Sequence, residues 1–216
     1  MKLHLIKKLF LVLLTILPGI ASASTPSLKS LFMSMPRSVL LLDSAKRSDL
    51  MTYYEVKHVD SIPNGMNGYV RIVLWDEQAL HFVLQTSYMG TLEVQVFNHV
   101  TPPFIAVSQT ASAPASLSVL SFYSMRWEPI VMNMPTVQAS DFLKSSLSDY
   151  NQIQAISWLT PLFVHFSFDT SSMEIVATLA QKDFLSKEDW NHLKPMLSAT
   201  ECRFSYHQGD WVKHGR

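Results

Sequence analysis

The chain has 216 residues, with 17 basic and 17 acidic side chains, so its formal net charge is zero. This balance argues against a nucleic acid or an anionic membrane as the partner, because both select strongly basic proteins. The single cysteine, Cys202, excludes an internal disulfide. A folded domain of this size must therefore depend on its apolar core, and we expect Cys202 to be a small core residue rather than a reactive thiol.

Residues 1–23 have the parts of a cleaved signal peptide. Lysines precede the apolar run "LFLVLLTIL" (9–17), and Ala21 and Ala23 fit the small-residue cleavage pattern. The run is too short for a bilayer, which needs about 20 residues. We predict cleavage after Ala23 and a periplasmic or extracellular mature chain, 24–216, without a transmembrane span. This chain forms a single α+β domain, with an alternative division into two sub-halves that meet near residues 130–150.

The stretch "MPRSVLLLDSAKRSDLMTYYE" (35–55) predicts two short helices. Pro36 suits the first turn of a helix, where its missing N–H costs nothing. The apolar residues 40–42 are expected to pack on a sheet as core. Ser48 or Asp49 is expected to cap the second helix, after a polar break.

Antiparallel strands are predicted after this helix pair. They alternate apolar and polar residues or are rich in β-branched and aromatic residues, and they lie at 69–75, 80–86, 92–97, 104–107 and 117–123. The links between them are short and contain no helix, which indicates an antiparallel meander. The small-residue segment "SQTASAPAS" (108–116) is predicted as a loop.

The second half of the chain predicts further helices and two hairpins. A helix is expected at 141–147, and another begins after Ser186, where Asp189 stands near enough for a capping box. The hairpins pair 162–168 with 173–179 and 203–206 with 211–212. The predicted fold class is α+β: an N-terminal helix pair and later helices packed on one or two antiparallel meander sheets.

The order of several fragments resembles a known family. They run from "MPRSVLLLDSAKRSDLMTYYE" through "NGMNGYVRIVL", "FYSMRWEPI" and "MNMPTVQASDFL" to "DFLSKEDWNHLKPMLS" and "FSYHQGDWVK". This order and spacing is similar to that of the domain of unknown function 3256 family, exported proteins of Bacteroidales. The resemblance implies a Gram-negative gut or oral bacterium and an envelope or extracellular location. It implies no catalytic residues, because it brings no assigned activity.

The sequence holds no motif of a known catalytic or metal site. Histidines and the one cysteine lack zinc-ligand spacing, and there is no nucleophile elbow, P-loop or dinucleotide-binding glycine pattern. We therefore expect no catalytic residue, no cofactor and no metal. Trp75 and Trp211 stand at hairpin ends, where partial exposure would let them contribute to a binding surface; core packing is the alternative.

These features favour a non-enzymatic envelope or secreted binding module with a protein or glycan partner. Exposed strand edges and the loop at 108–116 are its expected contact elements. One alternative is a hydrolase whose site assembles only in the fold, for example with His81 or His165 beside an acid. Another is a periplasmic inhibitor or assembly factor that adds a strand to its partner or fills a cleft.

Overall fold

The computed structural model describes residues 26–56, 61–65 and 68–214. The predicted signal peptide, residues 1–23, lies outside these ranges. Within them the chain forms four α-helices and two antiparallel sheets, of six and four strands. None of the helices in this part of the chain is long and apolar enough to cross a bilayer. The predicted α+β class is confirmed, with two sheets rather than one.

Two helices, α1 (Leu28–Ser34) and α2 (Ser44–Val56), precede the first sheet. Ser27 caps α1, because its hydroxyl accepts an amide N–H of the first turn at 3.2 Å. Asp43 does the same for α2, with a carboxylate oxygen 2.8 Å from a first-turn amide nitrogen. Both caps satisfy amide groups that the first turn of a helix leaves unpaired.

Two helices were predicted within residues 35–55, and the prediction of the first of them is wrong. Residues 37–39 form a turn, and the one helix of this stretch, α2, begins at Ser44, ahead of the predicted caps Ser48 and Asp49. The physical reason is the side chain of Asp43, which caps the helix earlier than the serine and aspartate that follow.

Three consecutive leucines in this stretch have different environments. Leu40 and Leu42 are 4% and 1% exposed, whereas Leu41 is 57% exposed. The Leu42 N–H donates to the Leu40 carbonyl at 2.7 Å, which closes a tight turn and directs Leu41 outward. The prediction of a core position is therefore confirmed for Leu40 and Leu42 and wrong for Leu41.

The first sheet is an antiparallel meander, as predicted, in which every strand pairs with its neighbours in sequence. Strand β5 differs from the prediction, because it continues to Ala111 and so includes part of the segment 108–116 predicted as a loop. Ser108 and Thr110 remain in register with the next strand there. The short first strand was not predicted. The strands are β1 (Ser61–Pro63), β2 (Tyr69–Asp76), β3 (His81–Ser87), β4 (Gly90–Phe97), β5 (Phe104–Ala111) and β6 (Leu117–Ser124).

The second sheet has the strand order β10-β9-β8-β7, again antiparallel throughout. Both predicted hairpins are confirmed. The cap at Ser186 is also confirmed, since its hydroxyl accepts the Asp189 N–H at 3.1 Å. The elements are α3 (Asp149–Trp158), β7 (Val164–Asp169), β8 (Glu174–Leu179), α4 (Lys187–Leu193), β9 (Glu201–His207) and β10 (Asp210–Lys213).

The prediction of a helix at 141–147 is wrong. A single 3₁₀ turn, Ala139–Phe142, occupies its start, and the helix of this region is α3, capped by Ser148. Only Ala155 of α3 is fully buried. A helix that buries so little shows almost no apolar periodicity, which is why the sequence did not indicate it.

Two apolar cores lie on opposite faces of the first sheet. The first is formed by α1 and α2 against residues such as Phe82 and Val94. The second is formed by the other face of β4, β5 and β6, which packs Phe97 and Phe104 against the second sheet. Cys202 is buried in this second core, as expected. Both sheets contribute to the second core, which favours one domain, although the single-domain organisation stays a prediction.

One edge of β7 lies on the face of the first sheet, and side chains of that sheet form hydrogen bonds with the backbone of β7. The Phe166 carbonyl accepts the Ser108 hydroxyl at 2.7 Å, and the Phe166 N–H donates to Ser118 Oγ at 2.9 Å. The Phe168 N–H donates to Glu93 Oε1 at 3.1 Å. These three side chains replace the neighbouring strand that β7 lacks on this side. We call this contact the β7 junction.

Candidate binding site

A cavity of 630 Å³ opens on the helix-side face of the first sheet. The segment 38–41 forms one wall, and strands β2 to β6 form the floor and the other walls. We call it the apolar pocket. Its described lining residues are Ser38, Val39, Leu40, Leu41, Asn64, Gly68, Val70, Thr86, Ser87, Thr91, Leu92, Gln109, Thr110, Ala111, Ala113, Ala115, Leu117, Val119 and Phe163.

Side-chain hydrogen bonds hold both walls of the apolar pocket. The Gln109 side chain donates to the Val39 carbonyl at 3.0 Å and so fastens the segment 38–41 over β5. On the opposite side the Asn64 amide donates to the Thr86 carbonyl at 3.0 Å and accepts the Gly68 N–H at 2.8 Å. The pocket is therefore bounded by fixed backbone on two sides.

The apolar pocket is uncharged, since its described lining residues are apolar or carry only hydroxyl and amide groups. Val70 and Leu92 are buried at its floor. At its rim Leu41, Leu117 and Val119 are 57%, 47% and 62% exposed. Large apolar side chains left this exposed beside a cavity are typical of a surface that another molecule covers.

Trp75 and Trp211, the predicted binding residues, lie on different sheets and are not brought together. Trp75 stacks on Phe82 with ring centroids 5.3 Å apart, and its indole N–H donates to Glu77 at 2.9 Å. Trp211 stacks on Phe122 at 5.6 Å, and its indole nitrogen is buried with no hydrogen-bond partner among the described residues. Both rings are half-buried, and their role in binding stays a prediction.

Of the two strand histidines singled out in the sequence, His81 contacts an acid at the β7 junction and His165 contacts two hydroxyls there. His81 Nε2 lies 2.9 Å from Glu93 Oε1, and His165 Nδ1 lies 3.3 Å from the hydroxyls of both Thr110 and Ser118. Burial lowers the pKa of His165, and the nearby carboxylate of Glu93 partly opposes that shift.

The polar groups of this cluster are already engaged in holding the sheets together. The Ser118 hydroxyl accepts the Phe166 N–H, and Glu93 accepts the Phe168 N–H as well as contacting His81. Ser118 is buried, and neither histidine lines the apolar pocket. The arrangement therefore satisfies buried backbone groups, which would otherwise cost about 1–3 kcal/mol each.

The family model described as "Protein of unknown function (DUF3256)" matches residues 20–211. The chain belongs to this family. Its fold is similar to that in the "Structure of a domain of an uncharacterized protein from Porphyromonas gingivalis W83", with a TM-score of 0.71 and 21% identity over 87% of this chain and 98% of that chain. The predicted resemblance is confirmed, including the link to Bacteroidales. No curated protein matches this chain.

A second cavity in this DUF3256 chain, of 400 Å³, is lined mainly by charged or ionisable residues. Its charged lining residues are paired: Lys213 contacts Asp141 at 2.6 Å, and Arg203 contacts Asp169 at 2.8 Å. The hydroxyl of Ser171 and the Arg203 guanidinium hold the pKa of Asp169 well below its usual value. Among the described residues no group of three or more histidine, cysteine, aspartate or glutamate side chains could hold a metal ion.

Sequence reasoning found only one part of the apolar pocket, because five of its lining residues belong to the segment 108–116 that was expected to make contacts. Its walls come from segments that are far apart in the chain, namely 38–41, Asn64, Gly68 and β6. The one local signal is β6 itself, "LSVLSFYS", an outer strand that contains neither a charged residue nor proline. Outer strands normally carry such residues as protection against pairing.

Proposed function

We propose that this protein is an exported, non-enzymatic binding module that holds an apolar part of its partner in the apolar pocket. The observation that supports this most directly is a 630 Å³ cavity with no charged residue in its described lining. This volume lies within the range of about 300–1,000 Å³ that is usual for ligand sites. Apolar floor residues favour a ligand that gains by leaving water.

The export part of the proposal rests on the N-terminal sequence. The basic start, the short apolar run and the small residues at Ala21 and Ala23 are the pattern of a cleaved signal. The module would then work in the periplasm or outside the cell, and its partner would lie in the envelope. Of the two partner classes, a protein suits the pocket better than a glycan, because most of the pocket surface is apolar and sugar hydroxyls buried against apolar surface would lack polar partners.

Binding of N-phenyl-1-naphthylamine, an uncharged fluorescent probe, tests the proposal on the mature chain 24–216. We expect saturable binding to the native protein. Ala111→Trp adds a large side chain at an exposed lining position, so it should weaken binding about tenfold, the loss of roughly 1.4 kcal/mol. Ala45→Trp is the matched control, because Ala45 is exposed on α2 and does not line the pocket.

Two results would count against the proposed site. Absence of probe binding to the native protein would show that the apolar pocket does not take an apolar ligand. Equal weakening by Ala111→Trp and Ala45→Trp would show that the probe binds elsewhere. Thermal melting of both variants checks that each is folded before the binding results are compared.

A hydrolase is the second candidate, favoured by one observation: His165 lies 3.3 Å from the Ser118 hydroxyl, near Glu93. A serine nucleophile needs a histidine base at this kind of distance. Hydrolysis of p-nitrophenyl esters tests it. Turnover that disappears in Ser118→Ala while the variant remains folded would favour the hydrolase, whereas the binding module predicts no turnover in either protein.

A further inference from the structure

Strand β6 is the last strand of the first sheet, so one of its two edges lies outside the sheet. Near its end this edge is used: the Ile130 N–H donates to the Phe122 carbonyl at 2.9 Å, and the Ser124 N–H donates to the Glu128 carbonyl at 2.8 Å. The backbone groups of Phe122 and Ser124 therefore point away from β5.

Backbone groups of alternate residues in a strand point to the same side. Ser118 and Leu120 must therefore direct their N–H and C=O groups outward, as Phe122 does. Among the described residues, no backbone or side-chain group pairs with these two N–H donors and two C=O acceptors. We call this row the β6 edge.

The β6 edge adjoins the apolar pocket directly. Leu117 and Val119, the neighbours of Ser118 in sequence, place their side chains at the pocket rim. A strand added beside β6 would carry side chains about 5 Å from these two residues on the same face. Its alternate side chains would then lie at the mouth of the apolar pocket, while its backbone bonded to the β6 edge.

We propose that β6 binds an extended segment of a partner protein, which adds a strand at Ser118 and Leu120 and places a leucine, methionine or phenylalanine side chain in the apolar pocket. This rests on the proposed function and names its ligand. Main-chain hydrogen bonds would supply affinity, and the pocket would supply specificity for the side chain.

The arrangement on the protein favours a peptide over other apolar ligands. Two donors and two acceptors at strand spacing match an extended backbone, which a lipid chain lacks. The absence of charge and proline from residues 117–124 leaves the edge without the usual protection against pairing. The turn at Ile130 limits the added strand to the region of 117–121, roughly 17 Å.

A second copy of this chain fits the β6 edge less well. Pairing of two β6 strands about a two-fold axis would set Val119 against Val119 of the partner subunit. Each copy already directs Leu117 and Val119 toward its own pocket rim, so neither copy would supply a side chain to fill the cavity of the other. A foreign segment with longer apolar side chains has no such limit.

Two synthetic peptides test the proposal. One alternates threonine and leucine and has blocked ends; the other has the same sequence but is N-methylated at alternate residues, which removes the N–H donors and keeps the side chains. We expect the native protein to bind the first peptide and to bind the second about tenfold more weakly, since each lost hydrogen bond is worth about 0.5–1.5 kcal/mol.

Hydrogen exchange and one pair of variants locate the bound peptide. The amides of Ser118 and Leu120 should become protected on binding, whereas that of Val119, which faces β5, should not change. Val119→Lys should abolish peptide binding by charging the edge. Val212→Lys is the matched control, because Val212 is 48% exposed on β10, the outer strand of the second sheet.

The other possible results of these experiments contradict either strand addition, the proposed function or the choice of partner. Binding of the naphthylamine probe without binding of either peptide would show that strand addition is wrong. Equal binding of both peptides without protection of the Ser118 and Leu120 amides would show the same. In both cases the proposal that the pocket takes an apolar ligand would still stand. If probe and peptides all fail to bind, the proposed function is wrong. A concentration-dependent dimer that Val119→Lys abolishes would assign the edge to a second copy instead.

Discussion

Leu41 and Leu42 are adjacent residues of the same type, one exposed and one buried. We predict that Leu42→Ala lowers the free energy of unfolding by about 2–5 kcal/mol, because it opens a cavity in the first core. Leu41→Ala should change it by less than about 0.5 kcal/mol, as is usual for surface positions. Urea unfolding of both variants measures the difference, and equal losses would contradict the placement of the two side chains.

At the scale of single residues the sequence predicts burial well where the periodicity is unambiguous. A run of four apolar residues, 39–42, fits a helix face and an extended segment equally well. The turn that exposes Leu41 depends on hydrogen bonds from Gln109 and Leu42, and one of these comes from a distant strand. The rim of the apolar pocket was unpredictable for the same reason.

Gln181 connects the end of α3 to the start of β7 through buried hydrogen bonds. Its amide donates to the carbonyls of Trp158 and Pro161 at 2.7 and 3.0 Å and accepts the Phe163 N–H at 3.2 Å. Gln181→Leu keeps the volume but leaves these three backbone groups unpaired. We predict a loss of about 3 kcal/mol in unfolding free energy, since an unsatisfied buried group costs about 1–3 kcal/mol.

The matched control for this prediction is Gln152→Leu, an exposed position on α3. It should change the unfolding free energy by no more than about 0.5 kcal/mol. Chemical denaturation followed by circular dichroism measures both variants. A Gln181→Leu protein as stable as the control would show that water or rearrangement satisfies the three backbone groups.

At the scale of elements, prediction succeeded where local chemistry decides the structure. Strands of the meander alternate apolar and polar residues or are rich in β-branched and aromatic residues, and Ser186 forms a cap with Asp189, so both were recognised. Helix α3 was missed because it buries a single residue, Ala155. Its position depends on Gln181, a contact with no signature within the helix itself.

At the scale of the whole molecule, the sequence predicted helices and antiparallel strands but not how the two sheets meet. The β7 junction is formed by polar residues, Glu93, Ser108 and Ser118, at positions that face the second sheet. In a strand pattern such residues indicate a solvent-facing side. Here the two serines are buried and Glu93 is half-buried, and each of the three side chains forms a hydrogen bond with a backbone group at the edge of β7.

The β7 junction should make the protein sensitive to acid through His165. Burial lowers the pKa of His165 from its ordinary 6.5, so below that pH the unfolded chain binds more protons than the folded chain. Stability should therefore be full above pH 6.5 and fall as the pH drops toward the lowered pKa, by at most about 1.4 kcal/mol per pH unit.

His165→Asn should reduce this pH slope, whatever its effect on stability at neutral pH. The pair of His81 and Glu93 faces the same junction and remains in the variant, so the comparison isolates His165. His207→Asn, at an exposed position of β9, is the control and should keep the native slope. Urea unfolding between pH 7 and pH 5 measures all three proteins. Identical slopes would mean that His165 becomes protonated in the folded state without loosening the contact between the sheets.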